Sequence, residues 1–164
     1  MPKGTRPASE RVRQAIFSSI AARVPDARVL DLFAGSGAYG LEALSRGATT
    51  AVLVDQGAES VSTCRANAKA AGLDAHVEVR KADVDRFLGK AAGIYDLVFV
   101  DPPYGQALEA VLEPVARLLD PEGRVIVETR WRDQPPPAAE GLVVEADRRY
   151  GDTRVLVYRR GETG

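Results

Sequence analysis

The sequence predicts an α/β fold, an open and mostly parallel sheet with helices packed on it. Three observations carry this prediction. Short apolar runs of strand length alternate with helical stretches from residue 28 onward, the pattern of consecutive βαβ units. The first run leads into a glycine-rich turn and then a helix, Gly35-Ser36-Gly37-Ala38-Tyr39-Gly40. The fourth run ends abruptly in two prolines, which cannot donate to a sheet ladder.

The predicted strands are Val29–Phe33, Ala51–Asp55, Val77–Val79, Leu97–Val100 and Val125–Val127, with helices over about 38–46, 57–71, 84–91 and 106–119 between them. Before the first strand, Val12, Ala15, Ile16 and Ile20 recur at helical spacing behind Ser9, a residue type that caps helices. Pro121-Glu122-Gly123 and Pro135-Pro136-Pro137 mark turns. Leu142–Val144 and Val155–Tyr158 flank Tyr150-Gly151-Asp152, which predicts a closing antiparallel hairpin and brings the sheet to seven strands. A chain of 164 residues can bury a three-layer core as one domain. Within it, 1–27 is expected to be an N-terminal helical segment, 28–131 the ligand-binding βα core and 138–160 the hairpin.

Composition excludes several classes of function. No apolar run approaches a membrane span, and the polar N-terminus carries no signal-peptide pattern. Cys64 is the only cysteine, which excludes an internal disulfide and agrees with a reducing, cytoplasmic location. With His76 as the only histidine, too few soft ligands remain for a zinc or iron–sulfur site. Cys64 falls in a helical pattern and His76 in the third strand run, so both are expected to be structural. The net charge is −1, yet residues 1–28 carry six Lys/Arg against two acids and residues 130–160 seven against five. Basic ends around an acidic middle suit a nucleic-acid binder with an acidic ligand pocket, and equally suit solvated arginines.

The glycine turn matches G-x-G-x-x-G, and Asp55 stands twenty residues after Gly35 at the end of the next strand. That is the spacing of a dinucleotide site, with the acid on a ribose hydroxyl. Three features argue against a nicotinamide dinucleotide. Asp31 lies inside the first strand, where a carboxylate would serve a cationic amino-acid tail rather than packing. The chain has no room for a substrate domain, and no hydride-transfer residues are recognisable. S-adenosyl-L-methionine satisfies each element, with ammonium and sulfonium near acids, the ribose on Asp55, and no phosphate to neutralise. Asp83 follows the third strand and is expected to accept from the adenine amino group, to cap the next helix, or both. Asp31, Asp55, Asp83 and Asp101 would then end four adjacent strands on the side where open α/β sheets bind ligands.

Asp101-Pro102-Pro103-Tyr104 directly follows Tyr95–Val100. At average residue usage such a string arises by chance in roughly one chain per thousand of this length, which favours function over a merely stiffened loop. The prolines force a rigid turn that presents a carboxylate, backbone carbonyls and an aromatic ring to one point. That set suits an exocyclic amine on a planar base, with two acceptors for its hydrogens and a ring for stacking.

With Asp31, Phe33, Gly35 and Gly37 ahead of Asp101–Tyr104, the chain resembles S-adenosylmethionine-dependent methyltransferases that act on base amines. Thr5-Arg6-Pro7 with Arg11-Val12-Arg13 and Ile16-Phe17, Leu30–Gly37, Gly40–Arg46 and Tyr150–Thr153 narrow the resemblance to the RsmD family. It extends over nearly the whole chain. It implies a Rossmann-like class I methyltransferase fold and methylation of a guanine N2 amine in small-subunit (16S) ribosomal RNA. The implied partners are that RNA and the small subunit or its precursor, approached by a monomer. Asp31, Phe33, Gly35, Gly37, Asp55 and Asp83 would hold the cofactor, and Asp101, Pro102, Pro103 and Tyr104 the reacting amine. Arg6, Arg11, Arg13 and Arg149 would contact RNA. Family members usually open with a basic strand pair ahead of the Thr-Arg-Pro segment, whereas only Met1-Pro2-Lys3-Gly4 precedes it here, so the exact rRNA position follows less closely than the chemistry.

Two other readings accommodate the same residues. A DNA adenine-N6 or cytosine-N4 methyltransferase uses the same tetrapeptide, but sequence-specific DNA readers generally add a recognition domain. A non-catalytic, cofactor-binding ribosome-assembly factor would keep the glycine loop but has no need of an intact Asp101.

Overall fold

A computed structural model describes residues 5–161, with side chains from residue 10 onward. Helix α1 (Thr5–Ser19) precedes strand β1 (Arg28–Leu32). The chain then runs through α2 (Ala38–Ser45), β2 (Thr50–Asp55), α3 (Ala58–Ala70), β3 (Val77–Lys81), α4 (Val84–Lys90), β4 (Tyr95–Val100), α5 (Leu108–Leu118) and β5 (Leu119–Arg130). A hairpin of β6 (Leu142–Tyr150) and β7 (Thr153–Arg160) follows. The sheet has seven strands in the order β3-β2-β1-β4-β5-β7-β6. Strands β1 to β5 are parallel, and β7 runs antiparallel to both β5 and β6. The predicted fold class, the parallel core and the closing hairpin are all present.

Alternate residues of each central strand serve opposite layers. Leu30, Leu32, Val98 and Val100 pack with Leu88 of α4 and with Val111, Leu112 and Val115 of α5. Val29, Leu97, Phe99 and Ile126 pack on the other face with Ile16 and Phe17 of α1, Tyr39 of α2 and Cys64 of α3. Burial on both faces is why these strands read as continuous apolar runs. The chain leaves β1 toward β2 and β3, then returns to β4 on the other side of β1. The crevice outside the ends of β1 and β4 is therefore the topological switch point, where such sheets bind ligands.

Three local expectations are corrected. Pro121–Gly123 does not separate elements but lies within β5. Tyr95 pairs with Leu119 and Leu97 with Arg124, so the residues between them bulge out of one strand. Pro121 has no ladder donor to lose, and a side chain on Gly123 would sit 3.0 Å from the Asp96 carbonyl. Helix α1 begins at Thr5, so Ser9 falls inside it rather than capping it. Pro7 occupies its first turn, where the missing N–H would have had no intrahelical partner. His76 lies in the short 3₁₀ turn Asp74–His76 just before β3, and it is exposed.

Helix α2 approaches the sheet closely at Gly40, where a Cβ atom would stand 2.3 Å from Leu53 Cδ2. Leu53 is fully buried and has nowhere to move. Gly40→Ala should therefore cost about 1–3 kcal/mol through overpacking, read as a lower denaturant midpoint with an unchanged m-value. Wild-type stability in that variant would contradict a helix-to-sheet distance set by glycine.

Candidate active site

Beyond β1 the backbone turns through three left-handed residues, Phe33 (φ 60°), Gly35 (φ 58°) and Gly37 (φ 84°). A phenylalanine in this conformation is strained and persists only where its neighbours hold it. They do so here from two sides. The Ala34 N–H donates to the Val54 carbonyl at 2.9 Å, and the Gly35 N–H to Asp55 Oδ2 at 2.9 Å. From α3, Cys64 Sγ donates to the Gly35 carbonyl at 3.1 Å and Asn67 Nδ2 to the Ser36 carbonyl at 3.0 Å. Burial pushes the Cys64 thiol up to about 11, so it remains a donor. Its structural role agrees with its position in the helix.

The acids end neighbouring strands, as expected. Asp55 accepts from Gly35 N–H through one oxygen and from Gly57 N–H at 2.9 Å through the other, which leaves lone pairs on both for a hydroxyl. Asp31 is only 1% exposed and accepts from the Gly40 N–H at 2.9 Å, so it lies beneath the loop rather than open in the crevice. Burial raises its pKa to about 8 against the opposing pull of the Gly40 amide, and the charges of Asp101 and Asp55 add to the rise. Asp83 is the N-cap of α4 and accepts from Asp85 N–H at 3.3 Å. Its capping reading is thus realised, and the adenine role rests on its remaining acceptor capacity.

Asp101 follows β4 and touches solvent on its cleft side. Protein crowds the carboxyl from behind, and this crowding first, then the Glu128 charge, raises its pKa to about 7. The open side keeps the group hydrated, so the upward push strengthens as a ligand covers it. Gln106 N–H donates to the Pro103 carbonyl at 3.2 Å, and Gly105 takes φ 87°, which closes the proline turn. Tyr104 stands out from it at 79% exposure, with the Arg132 guanidinium 5.6 Å from its ring centre.

Between this turn and the end of β5 opens a cleft of about 640 Å³, lined by Asp101, Pro102, Pro103, Tyr104, Glu128, Arg132 and the tip of the β6–β7 hairpin. Trp131 beside it carries Arg149 at 4.6 Å and Arg154 at 5.4 Å from its ring centre. None of Asp31, Asp55, Asp101 and Glu128 joins an ion pair among the described residues. Asp55, Asp101 and Glu128 are thus left without a contacting cation, which suits a cationic ligand at these strand ends.

The basic residues are less concentrated. Arg11 is exposed on α1, and Arg13 pairs with Glu42 of α2 at 3.5 Å. Arg149 donates to the Gly151 carbonyl at 2.8 Å beside the cleft. The side chain of Arg6 lies outside the described residues. Glu128, Tyr39, Trp131 and Arg132 escaped the sequence reading. Glu128 accepts from the Tyr39 hydroxyl across 89 residues, a contact between α2 and β5 that no local sequence signal marks.

The raised Asp31 pKa has a definite consequence for stability. Between the ordinary carboxylate value of 3.8 and about 8 the folded chain holds a proton that the unfolded chain releases. Stability therefore falls as pH rises through that window. Asp31→Asn keeps an acceptor for the Gly40 amide and cannot ionise. Its melting temperature without ligand should exceed the wild-type value at pH 8 and converge with it near pH 4. Parallel curves would contradict a protonated Asp31.

Comparison with known proteins identifies the family. The family model described as conserved hypothetical protein 95 matches residues 1–159. Ribosomal RNA small subunit methyltransferase D of Escherichia coli is 32% identical over 98% of this chain and 82% of its own length. YlbH of Bacillus subtilis is 35% identical over 95% of this chain and 88% of its own. A solved structure of a conserved hypothetical protein from Streptococcus pyogenes superposes with a TM-score of 0.84 at 33% identity, covering 93% of this chain and 98% of that one. The chain is a member of the conserved hypothetical protein 95 family, the RsmD family of methyltransferases.

Proposed function

We propose that this chain is a cytoplasmic enzyme that methylates the exocyclic N2 amine of a guanine in small-subunit (16S) ribosomal RNA, using S-adenosyl-L-methionine. The observation that carries the reading is the Asp101–Tyr104 turn, which leaves β4 directly beside β1 and its glycine loop. Family membership and the relative named for rRNA small-subunit methylation support the class of substrate.

The residues fit the cofactor by the chemistry of their donor set. Acids at the ends of neighbouring strands, none of them in an ion pair among the described residues, suit an ammonium and a sulfonium. Asp55 would hold the ribose, the loop, braced from beneath by Asp31, the amino-acid end, and Asp83 the adenine edge. When bound, S-adenosyl-L-methionine supplies an electrophilic methyl group.

The chain's own residues address the amine. Its lone pair is conjugated with the purine ring, so it is a poor nucleophile. Asp101 and the Pro102 carbonyl, each accepting one N–H, would draw the nitrogen toward tetrahedral geometry and stabilise the charge that develops on it. Transfer to the amine would exchange the cofactor's carbon–sulfur bond for a nitrogen–carbon bond, and the surplus proton would leave to water. Pro103 stiffens the turn. Tyr104, one face steadied by Arg132, would stack on the extruded base and offset part of its unstacking. Arg11, Arg13 and Arg149, with Arg6, are assigned to RNA phosphates, so activity should fall with salt.

Asp101→Ala should lower turnover on the order of 10²-fold or more while S-adenosylmethionine binding is retained. Tyr104→Ala should weaken RNA engagement by roughly 1–3 kcal/mol. Wild-type turnover should rise with pH through about 7 as Asp101 ionises. Tritium transfer to small ribosomal subunits, followed by nucleoside analysis, reads turnover and its dependence on RNA and pH, and the melting shift on S-adenosylmethionine reads cofactor binding. Loss of cofactor binding in Asp101→Ala with a silent Tyr104→Ala would reverse the assigned roles.

A further inference from the structure

Asp101 has a second carboxylate at its side, and the fold holds that carboxylate in place. Phe99 pairs with Ile126 and Val100 with Val127. One step further along the same parallel register brings Asp101, the first residue past β4, level with Glu128 of β5, and neighbouring strands lie about 4.8 Å apart. Both follow residues, Phe99 and Ile126, that point into the α1–α3 layer, and both line the cleft. Glu128 is anchored by the hydroxyl of Tyr39. That ring is buried and stacked on Phe99, with centroids 5.1 Å apart. Burial and the Glu128 charge raise the Tyr39 pKa, so its hydroxyl stays protonated and donates. One oxygen of Glu128 is thereby occupied and the other remains an acceptor.

Two adjacent carboxylates match one kind of base edge. Guanine presents its N2 amine next to an N1–H, two donors side by side. Adenine presents N6 next to a bare N1, and cytosine N4 next to a bare N3, so each offers a donor beside an acceptor. Resting on the guanine-N2 reading above, we infer that Glu128 accepts the N1–H of the target guanine while Asp101 accepts from its N2 amine, so that Glu128 sets base specificity. The same carboxylate repels the lone pair of adenine N1 or cytosine N3, which rejects those amines without a separate contact.

The test uses small subunits reconstituted with either guanine or 2-aminopurine at the methylated position. 2-Aminopurine keeps the N2 amine but carries no hydrogen on N1. Wild-type protein should methylate guanine on the order of 10- to 100-fold better, as kcat/KM, the range expected of a paired base contact. Glu128→Gln retains an oxygen for Tyr39 and turns an amide N–H toward the base. It should lose guanine activity and narrow or reverse the preference, with its melting shift on S-adenosylmethionine unchanged. Equal wild-type rates on the two bases, or an unaltered ratio in Glu128→Gln, would overturn the role of Glu128. The wild-type comparison decides this even if the variant fails to fold. Absence of N2-methylguanosine from unsubstituted subunits would instead refute the guanine reading, and that arm contains neither the analogue nor the variant.

Discussion

The Gly40 amide donates to Asp31 across the gap between α2 and β1, and the gap is that narrow because position 40 carries no side chain. Burial beneath the loop raises the Asp31 pKa to about 8, so the ligand-free fold keeps it protonated while it accepts from the Gly40 amide. The rest of the site follows from this close approach. It sets the entry of α2, places Tyr39 against Phe99 and Glu128, and leaves the glycine loop hanging between β1 and the Asp55 carboxylate. Asp31, Asp101 and Glu128 raise one another's or their neighbours' pKa values through this shared geometry.

The two halves of the proposed reaction meet because β1 and β4 are neighbours in the sheet, although the register partners Leu32 and Val100 are 68 positions apart in the chain with three helices between them. The loop after β1 addresses one ligand and the turn after β4 another. The β6–β7 hairpin, whose tip lines the far wall of the cleft, extends the acceptor side. Arg132 above Tyr104, and Arg149 and Arg154 above Trp131, form an aromatic–guanidinium border of the kind that suits stacked bases and phosphates.

Much of this was legible in the chain itself, for identifiable reasons. Strands buried on both faces announce themselves as apolar runs, so Leu30, Val98 and their neighbours were found without difficulty. Asp31, Asp55, Asp83 and Asp101 were placed correctly at the ends of adjacent strands because parallel connections bring all strand ends to one side. The burial of Asp31 was not legible, because its sealing under the loop depends on where α2 settles, whereas the cap that Asp83 makes on α4 follows from its place between strand and helix. Pro121–Gly123 reads as a turn, yet a bulge tolerates the same residues because it too leaves the ladder. Glu128 carried no local signal at all. It resembles any acid at a strand end until the β4–β5 register sets it beside Asp101 and the Tyr39 hydroxyl reaches it through the core.

The central claim is that the proline turn and the acidic crevice together methylate a guanine amine of small-subunit RNA. It is tested most directly by mass-spectrometric mapping of methylated nucleosides in rRNA from cells with and without the gene. The account predicts that one N2-methylguanosine of the small-subunit RNA disappears when the gene is removed and returns when wild-type protein, but not Asp101→Ala, is supplied. An unchanged set of small-subunit N2-methylguanosines, with the loss falling instead on N6-methyladenosine or on DNA, would contradict it.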